Sequence, residues 1–474
     1  MFLGIGDSMS KSGTEKHTKL SSDEVASTYL LDFFATGGRS VLVRGDPGTG
    51  KTSLVLQLLE YHSKNDFKSV YMSTRLSAKT LKSHQPWIEV VQGKYGTVPR
   101  LDSDQIGFQD SRRMDGVRAI SGLRQYLEQV SNPFVVLDSW EGLFFESHTL
   151  GVEEISKLVE DYDARFVVVT ERREQTDLDY LLDGVVVLRR KFHQGMVVRE
   201  IELKKLRGVS IKQSRFLFTL DSGKFRYLPP ISSQNLSESN SAGEPLESQK
   251  PGSFSTGNQR FDEMIDGGLK RSSMNLFEFS NNVPFEAVAL LLRSIFSNFI
   301  NNGHRILFVP FVGAARIQLD LILSNFASET IWKSVSYLDY EGLESRSGAQ
   351  LTGDIREDFE LIHAKVQELQ KSSGKPALVV VSQNAMEGLY GREAVSKELV
   401  KSIAATKKNG NVRIQVSTPD SSLLPEVKAL CDTNVKVELI HGTPVIFALK
   451  PASVLHGVVA DPNANGRLTL VPIV

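Results

Sequence analysis

The sequence predicts an α/β fold made of two tandem copies of one unit, the second of them degenerate. Three observations carry this. Short apolar runs of strand length alternate with helical patterns along the chain. A glycine-rich stretch near the start joins one such run to a helix. The apolar runs of the second half then repeat those of the first at an offset that grows slowly and never reverses, as two copies separated by small insertions would show.

In the first copy, "VLVRGDPGTGKTSLVLQLLE" matches G-x-x-x-x-G-K-[ST] through Gly45, Gly50, Lys51 and Thr52, after a strand and at a helix start. The loop Gly45, Asp46, Pro47, Gly48, Thr49, Gly50, Lys51, Thr52 and Ser53 is therefore the candidate cradle for the phosphates of ATP. Glycines let the backbone curl so that N–H groups point inward, and the helix opening near Lys51 adds its positive end. Lys51 is placed to reach the β and γ phosphates, and Thr52 to bind Mg²⁺ through its hydroxyl. A neighbouring strand must add a carboxylate. "NPFVVLDSWEGL" supplies four apolar residues, Phe134 to Leu137, and then Asp138, the expected anchor of the magnesium's water shell.

The second copy has the same frame without its contents. "MNLFEFSNNVPFEAVALLL" reads as a buried strand, a turn and an amphipathic helix, and at an offset of 234 Gly45 falls on Phe279, Lys51 on Phe285 and Thr52 on Glu286. "SVYMST" meets "RILFVP" at about 237, "FVVLDS" meets "LVVVSQ" at 244, "RFVVVT" meets "RIQVST" at 248, and "DGVVVL" meets "DTNVKV" at 249. Ser382 stands where Asp138 does, so the phosphate grip and the metal carboxylate are both missing. One nucleotide per chain, in the first copy, is expected. Between the copies, Pro229 to about Ser253 is rich in Ser, Pro, Gly and Glu and reads as a flexible linker. The division is 1–230, linker 231–253, and 254–474.

The 474 residues, 41% of them hydrophobic, can bury more than one core. Lys plus Arg number 55 against 56 Asp plus Glu, so no overall basic field draws the chain to nucleic acid or to an anionic membrane. Nothing approaches the roughly 18 apolar residues of a spanning helix, and the first residues lack a secretory pattern, so a soluble, cytoplasmic protein is expected. The single cysteine, Cys431, excludes an internal disulfide and reads as a core residue. Trp87, Trp140 and Trp332 read as packing residues rather than a platform for bases.

On these residues the chain resembles the KaiC-like branch of the RecA superfamily, which carries tandem ATPase domains. "FSTGNQRFDEMIDGGLKR" is similar to that family's entry signature, with Ser255, Thr256, Gly257, Asp262 and Gly267-Gly268-Leu269 at matching places. "VVVTERREQTDLDYLLDGVVVLRR" and "REIELKKLRGVSIKQSRFLFTLDSGKFRYLPP" look like the closing strands of such a domain. "VYMSTRLS" followed by "HQPWIEV" is similar to the archaeal gas-vesicle regulator family, GvpD, which pairs a P-loop domain with a degenerate one.

The resemblance implies two tandem RecA-like P-loop domains, each with a mostly parallel central sheet between helices and nucleotide at the carboxyl ends of the strands. It also implies that Lys205 and Arg207 lie where related hexamers present basic fingers to the γ-phosphate of a neighbouring subunit, and hence a homo-oligomer; a solvated basic edge strand is the other reading. The paired glutamates of the family, one of which polarises the attacking water, are replaced by Arg75 and Leu76. A cation cannot take a proton from water. Glu141 and Glu171 are the candidate substitutes, weighed against plain surface carboxylates. Arg172 with Arg173, and Arg189, Arg190 with Lys191, read as solvated faces or, by the GvpD resemblance, as contacts for a regulatory protein partner. The expectation is an ATP-binding regulator whose nucleotide state controls a protein interaction, with slow hydrolysis. A RecA-like DNA-dependent motor and a scaffold with a structural nucleotide are the alternatives.

Overall fold

The computed structural model describes residues 28–94, 97–102, 104–144, 148–231, 245–311, 315–323, 332–340, 349–461 and 467–474. The first half forms β1 (Ser40–Gly45), β2 (Lys68–Ser73), β3 (Val91–Gln92), β4 (Ile106–Asp110), β5 (Pro133–Asp138), β6 (Arg165–Thr170), β7 (Gly184–His193), β8 (Met196–Leu206), β9 (Arg215–Thr219) and β10 (Arg226–Leu228). These make one ten-stranded sheet in the order β10-β9-β8-β7-β1-β6-β5-β2-β4-β3. From β7 to β3 every pairing is parallel, and β7 to β10 form an antiparallel extension.

A two-stranded ribbon, β11 (Ser253–Phe254) with β12 (Leu269–Lys270), opens the second half. Then follow β13 (Ser273–Phe279), β14 (Ile306–Phe308), β15 (Val335–Tyr340), β16 (Ala349–Leu351), β17 (Leu378–Ser382), β18 (Val412–Ser417), β19 (Thr433–Ile440), β20 (Thr443–Lys450), β21 (His456–Asp461) and β22 (Arg467–Pro472). Their order, β16-β15-β14-β17-β18-β13-β19-β20-β21-β22, is the first sheet's order strand for strand, with the same change from parallel to antiparallel after β19. The chain is thus two tandem RecA-like α/β domains with mostly parallel sheets.

The register corrects one sequence offset. Arg44 pairs with Thr170 as Glu278 pairs with Ser417, so β6 meets β18 at an offset of 247, not 248. A slip of one residue would turn every side chain of the strand to the other face. At 247 Val167 falls on Ile414, both in the core on the corresponding sheet face, and Phe166 falls on the buried Arg413. The arginine shared by "RFVVVT" and "RIQVST" had suggested the wrong alignment.

Parallel strands covered on both faces need apolar residues at every position, and β1 is buried throughout. Val41 and Val43 face Leu54 and Leu58 of the helix Lys51–Ser63, while Leu42 faces Ile120 and Leu123 of the helix Gly116–Leu127. In β13 Phe277 and Phe279 join one core layer, and Met274 and Leu276 the other. Cys431 and Trp140 are buried, as expected of packing residues. A further cluster ties the two antiparallel extensions together, with Val198, Leu217 and Leu228 against Val445, Phe447, Val459, Val471 and Ile473.

Of the segment expected as a linker, residues 232–244 lie outside the described residues. Residues 245–253 run along the second domain, where Leu246 N donates to Asn298 Oδ1 at 2.8 Å and Ser253–Phe254 pairs in the ribbon. Among the described residues no helix is long and apolar enough to cross a membrane.

Candidate functional site

Four adjacent parallel strands, β1, β6, β5 and β2, end side by side and deliver the site's residues from their carboxyl ends. This is where open α/β sheets hold ligands. β1 runs into the loop Gly45–Ser53, β5 ends in Asp138, β2 is followed by Arg75 and β6 by Glu171.

The loop needs its glycines. A Cβ on Gly45 would lie 2.6 Å from Thr49 Oγ1 and 2.7 Å from the carbonyl oxygen of Leu188. Gly50 sits at φ +98°, a left-handed conformation, and has no side chain to cap the helix Lys51–Ser63, which leaves that helix's first N–H groups to a ligand. Lys51 Nζ donates to the carbonyls of Gly45 (2.6 Å) and Asp46 (2.9 Å), and lies 3.9 Å from Glu171. Burial holds its ammonium below the ordinary lysine pKa, against the pull of Glu171 and Asp138.

Thr52 Oγ1 donates to Asp138 Oδ2 at 2.8 Å, and so does the Tyr71 hydroxyl at 2.7 Å. Asp138 is buried, and burial raises its carboxyl pKa, opposed by the two hydroxyl donors and by Lys51. One hydroxyl and one carboxylate in contact fit Mg²⁺, an ion that usually takes one or two protein ligands and leaves its other places to phosphate and water. Thr52 and Asp138 would hold it; its chemistry there would be to neutralise charge on the β and γ phosphates.

Glu171 meets Arg75 in a two-pronged pair, with Nη2–Oε2 at 2.6 Å and Nη1 on Oε1. Glu141, in the short helix Glu141–Phe144, accepts from the Thr170 hydroxyl and from Glu171 N. Both candidate bases thus stand at the site. On its outer side Arg173 pairs with Asp46 at 2.7 Å. Lys205 and Arg207 are engaged elsewhere in their own domain. Lys205 donates to the carbonyls of Asp179, Tyr180 and Leu182, and Arg207 to Asp183 at 2.9 Å and to Tyr180 O.

Sequence reasoning missed Tyr71, Arg173 as a partner of Asp46, and the Arg75–Glu171 pair. Tyr71 lies mid-strand and reaches Asp138 only because β2 pairs with β5 in the register Ser73 to Asp138. Arg75 and Glu171 lie 96 residues apart, and only the β2-β5-β6 neighbourhood joins them.

In the second domain the loop after β13 closes as a tight turn, Val283 N to Ser280 O at 2.9 Å. Phe285 opens the helix Phe285–Asn301 and lies edge-on to Phe311, with 5.8 Å between ring centroids. Ser382 caps the helix Gln383–Tyr390, where the first domain has Asp138.

Residues 30–204 match the family model described as GvpD gas vesicle protein, P-loop domain. The chain is 23% identical over 482 residues to protein GvpD2 of Halobacterium salinarum, spanning 93% of this chain and 95% of that one. It is 26% identical over 322 residues to protein GvpD1 of the same organism, 63% of this chain and 59% of that one. It is 21% identical over 359 residues to the circadian clock oscillator protein KaiC of a Picosynechococcus species, 71% of this chain and 65% of that one. The first domain therefore matches a GvpD-type P-loop domain, and the chain as a whole is similar to GvpD and KaiC proteins.

Proposed function

We propose that this chain is a cytoplasmic regulator in which MgATP, bound by the first domain only, controls a protein interaction and is hydrolysed slowly. The domain division in this reading is 1–230 and 254–474, joined by 231–253. The observation that carries it is the Arg75–Glu171 pair. In ordinary relatives a glutamate beside the γ-phosphate takes the proton of the attacking water. Here a cation stands at that position, and the nearest carboxylate has an oxygen on each prong of that cation. A carboxylate with both oxygens engaged must release one of them before it can take a proton from water, which slows that step.

With ATP present, Lys51 exchanges the Gly45 and Asp46 carbonyls for phosphate oxygens, and the Asp46–Arg173 pair at the loop's outer edge feels the change. Arg173, with Arg172 and the group Arg189, Arg190 and Lys191, forms the basic face offered to the partner. In a homo-oligomer Lys205 and Arg207 would be offered to the γ-phosphate of a neighbouring copy after leaving their present carbonyl and carboxylate partners.

The test is a phosphate-release assay paired with a nucleotide-binding measurement. Wild type is expected to bind MgATP yet turn over below the roughly 1 to 100 s⁻¹ of efficient phosphoryl-transfer enzymes. Arg75→Glu, which frees Glu171 and restores a carboxylate at the family's position, is expected to raise turnover by about tenfold or more, toward the 10² to 10⁴ that general-base help supplies. Brisk wild-type hydrolysis that survives both Glu141→Gln and Glu171→Gln would refute the slow-switch reading.

A further inference from the structure

The second domain has a RecA-like sheet without the glycines and lysine of a phosphate loop, and the segment that follows β22 lies against the first domain's loop. Arg199, half-buried on β8, is the link. Its Nη1 donates to the carbonyl of Gly48, in the middle of the P-loop, at 2.9 Å. Its Nε donates to the carbonyl of Val474, two residues beyond β22. A second tie lies beside it on β9. The Thr219 hydroxyl donates to Pro472 O at 2.6 Å and accepts from Val474 N at 3.4 Å. The next residue, Leu220, fills the space at Gly50, where a Cβ would come within 2.9 Å of its side chain. The tail Pro472–Val474 is therefore held at two points, and each is one residue or one contact from the loop.

We propose that Arg199 is a positioning residue for nucleotide binding, and that through it the second domain serves as a brace for the P-loop of the first. This deepens the reading that the loop Gly45–Ser53 binds the nucleotide and rests on it. A trans peptide is planar, so its C=O and the following N–H point in opposite directions. Arg199 holds the Gly48 oxygen toward β8, and the N–H of Thr49 is thereby turned into the loop. That N–H is only loosely engaged, 3.3 Å from the Asp46 carbonyl, at the long limit of a hydrogen bond, and so is available to a phosphate in the orientation Arg199 sets. A cation on the carbonyl also polarises the peptide and strengthens its N–H as a donor. Gly48 is at φ +75°, where the chain has few steric restraints of its own, so the orientation must come from outside. Preorganising the donors in this way favours binding, because the ordering cost is met before the ligand arrives. The brace reaches the outside of the loop, away from the ligand, and the domain that supplies it needs its fold but not its own phosphate grip.

The experiment is MgADP titration of the full chain by calorimetry. Wild type and Lys51→Ala serve as references, beside Arg199→Ala, Arg199→Lys and Thr219→Val, and the unfolding temperature of each protein is recorded without nucleotide. Arg199→Ala is expected to bind roughly tenfold more weakly, about the worth of one hydrogen bond. Arg199→Lys, with a single donor nitrogen in place of the separate Nη1 and Nε, is expected to fall between it and wild type. Thr219→Val, which unties the tail without touching the loop, is expected to weaken binding about threefold through the same brace. Should the alanine variant fail to fold, Arg199→Met keeps the side chain's length on the strand and gives the same readout. Wild-type or tighter affinity in Arg199→Ala or Arg199→Met, while Lys51→Ala loses binding, overturns the brace and leaves the nucleotide site standing. Affinity that Lys51→Ala leaves unchanged overturns both.

Discussion

The same seven-residue span, Gly45–Lys51 in one domain and Phe279–Phe285 in the other, separates a phosphate loop from a plain turn on sheets that share one strand order. In the first, Gly50 leaves a helix end uncapped and Lys51 lies over the loop carbonyls. In the second, Pro284 stands in Gly50's place, Phe285 packs on Phe311, and Glu286 puts a negative charge in the helix's first turn. A carboxylate there suits the positive end of the helix as well as a phosphate would. At the places that the loop residues take in the first domain, the second has an apolar contact and an acid. The difference between the two sites is local to the loop and to the ends of two strands.

Away from the loop the copies satisfy one buried tie with opposite signs. Arg44 at the end of β1 pairs with Asp179 at 2.5 Å, and its counterpart Glu278 on β13 pairs with Lys428 at 2.7 Å. Both ties join the first strand of a sheet to the helix that precedes the strand on its other side. The first is the drier, with side chains 4% and 7% exposed, whereas Lys428 is 37% exposed. Removing one partner of a buried pair strands the other's charge, but Glu278 would keep Lys436 at 3.9 Å, and the Lys428 removed is itself partly solvated. Arg44→Ala is therefore expected to cost about 3 kcal/mol of stability and Lys428→Ala about 1 kcal/mol, measured by denaturant unfolding followed separately in each domain. Equal costs would mean that the second lysine and the solvation of Lys428 do not set the difference.

The comparison predicts a smaller but more specific effect on binding. Lys51→Ala is expected to weaken MgATP binding by roughly 10²-fold, the worth of a charge-assisted contact, with an unchanged fold. Phe285→Ala is expected to leave affinity untouched. Wild type should saturate at one nucleotide per chain, and two equivalents bound would break the distinction between the domains. Calorimetric stoichiometry decides both points.

The fold was largely legible because parallel strands buried on both faces must be continuous apolar runs, and the copies could be aligned run by run. The alignment slipped at β18, where a shared arginine outweighed the strand's alternation and the face of Phe166 was assigned to the wrong residue. The loop and Asp138 were legible because phosphate and magnesium demand particular residues at a fixed spacing. Arg75 was flagged by its departure from the family's pattern and Glu171 as a candidate base, but their pairing was not, since their meeting depends on strand order. Tyr71 and Arg199 carry no sequence signal, and Arg173 stood out only as part of a basic cluster, not as a partner of Asp46. Each acts through a neighbour that only the sheet, or the second domain, brings to it.

The smallest expected effect concerns Asp138, whose counterpart Ser382 carries no charge. Burial raises the Asp138 carboxyl pKa in the folded chain above its unfolded value of about 3.9. The sign follows from linkage. A carboxyl with a raised folded pKa favours the fold most below its unfolded pKa, where it is protonated in both states, and that contribution is lost as the pH rises through the raised value. At neutral pH the nucleotide-free protein therefore holds a charge that its surroundings resist, and the Thr52 and Tyr71 hydroxyls offset only part of the cost. Asparagine keeps an oxygen for both hydroxyls and removes the charge. Asp138→Asn is expected to raise the stability of the nucleotide-free first domain by about 1 kcal/mol at pH 7 to 8, with the gain shrinking toward zero as the pH falls to about 4. The same variant is expected to lose the dependence of ATP affinity on Mg²⁺. Ser382→Ala, at the position without a carboxylate, should show no such trend with pH, costing only the helix cap at every pH. Thermal unfolding from pH 4 to 8 measures the two stability trends, and ATP titration with and without Mg²⁺ the affinity. A stability gain in Asp138→Asn that does not change with pH would show that the ionised carboxylate is not what the site tolerates for the sake of its metal.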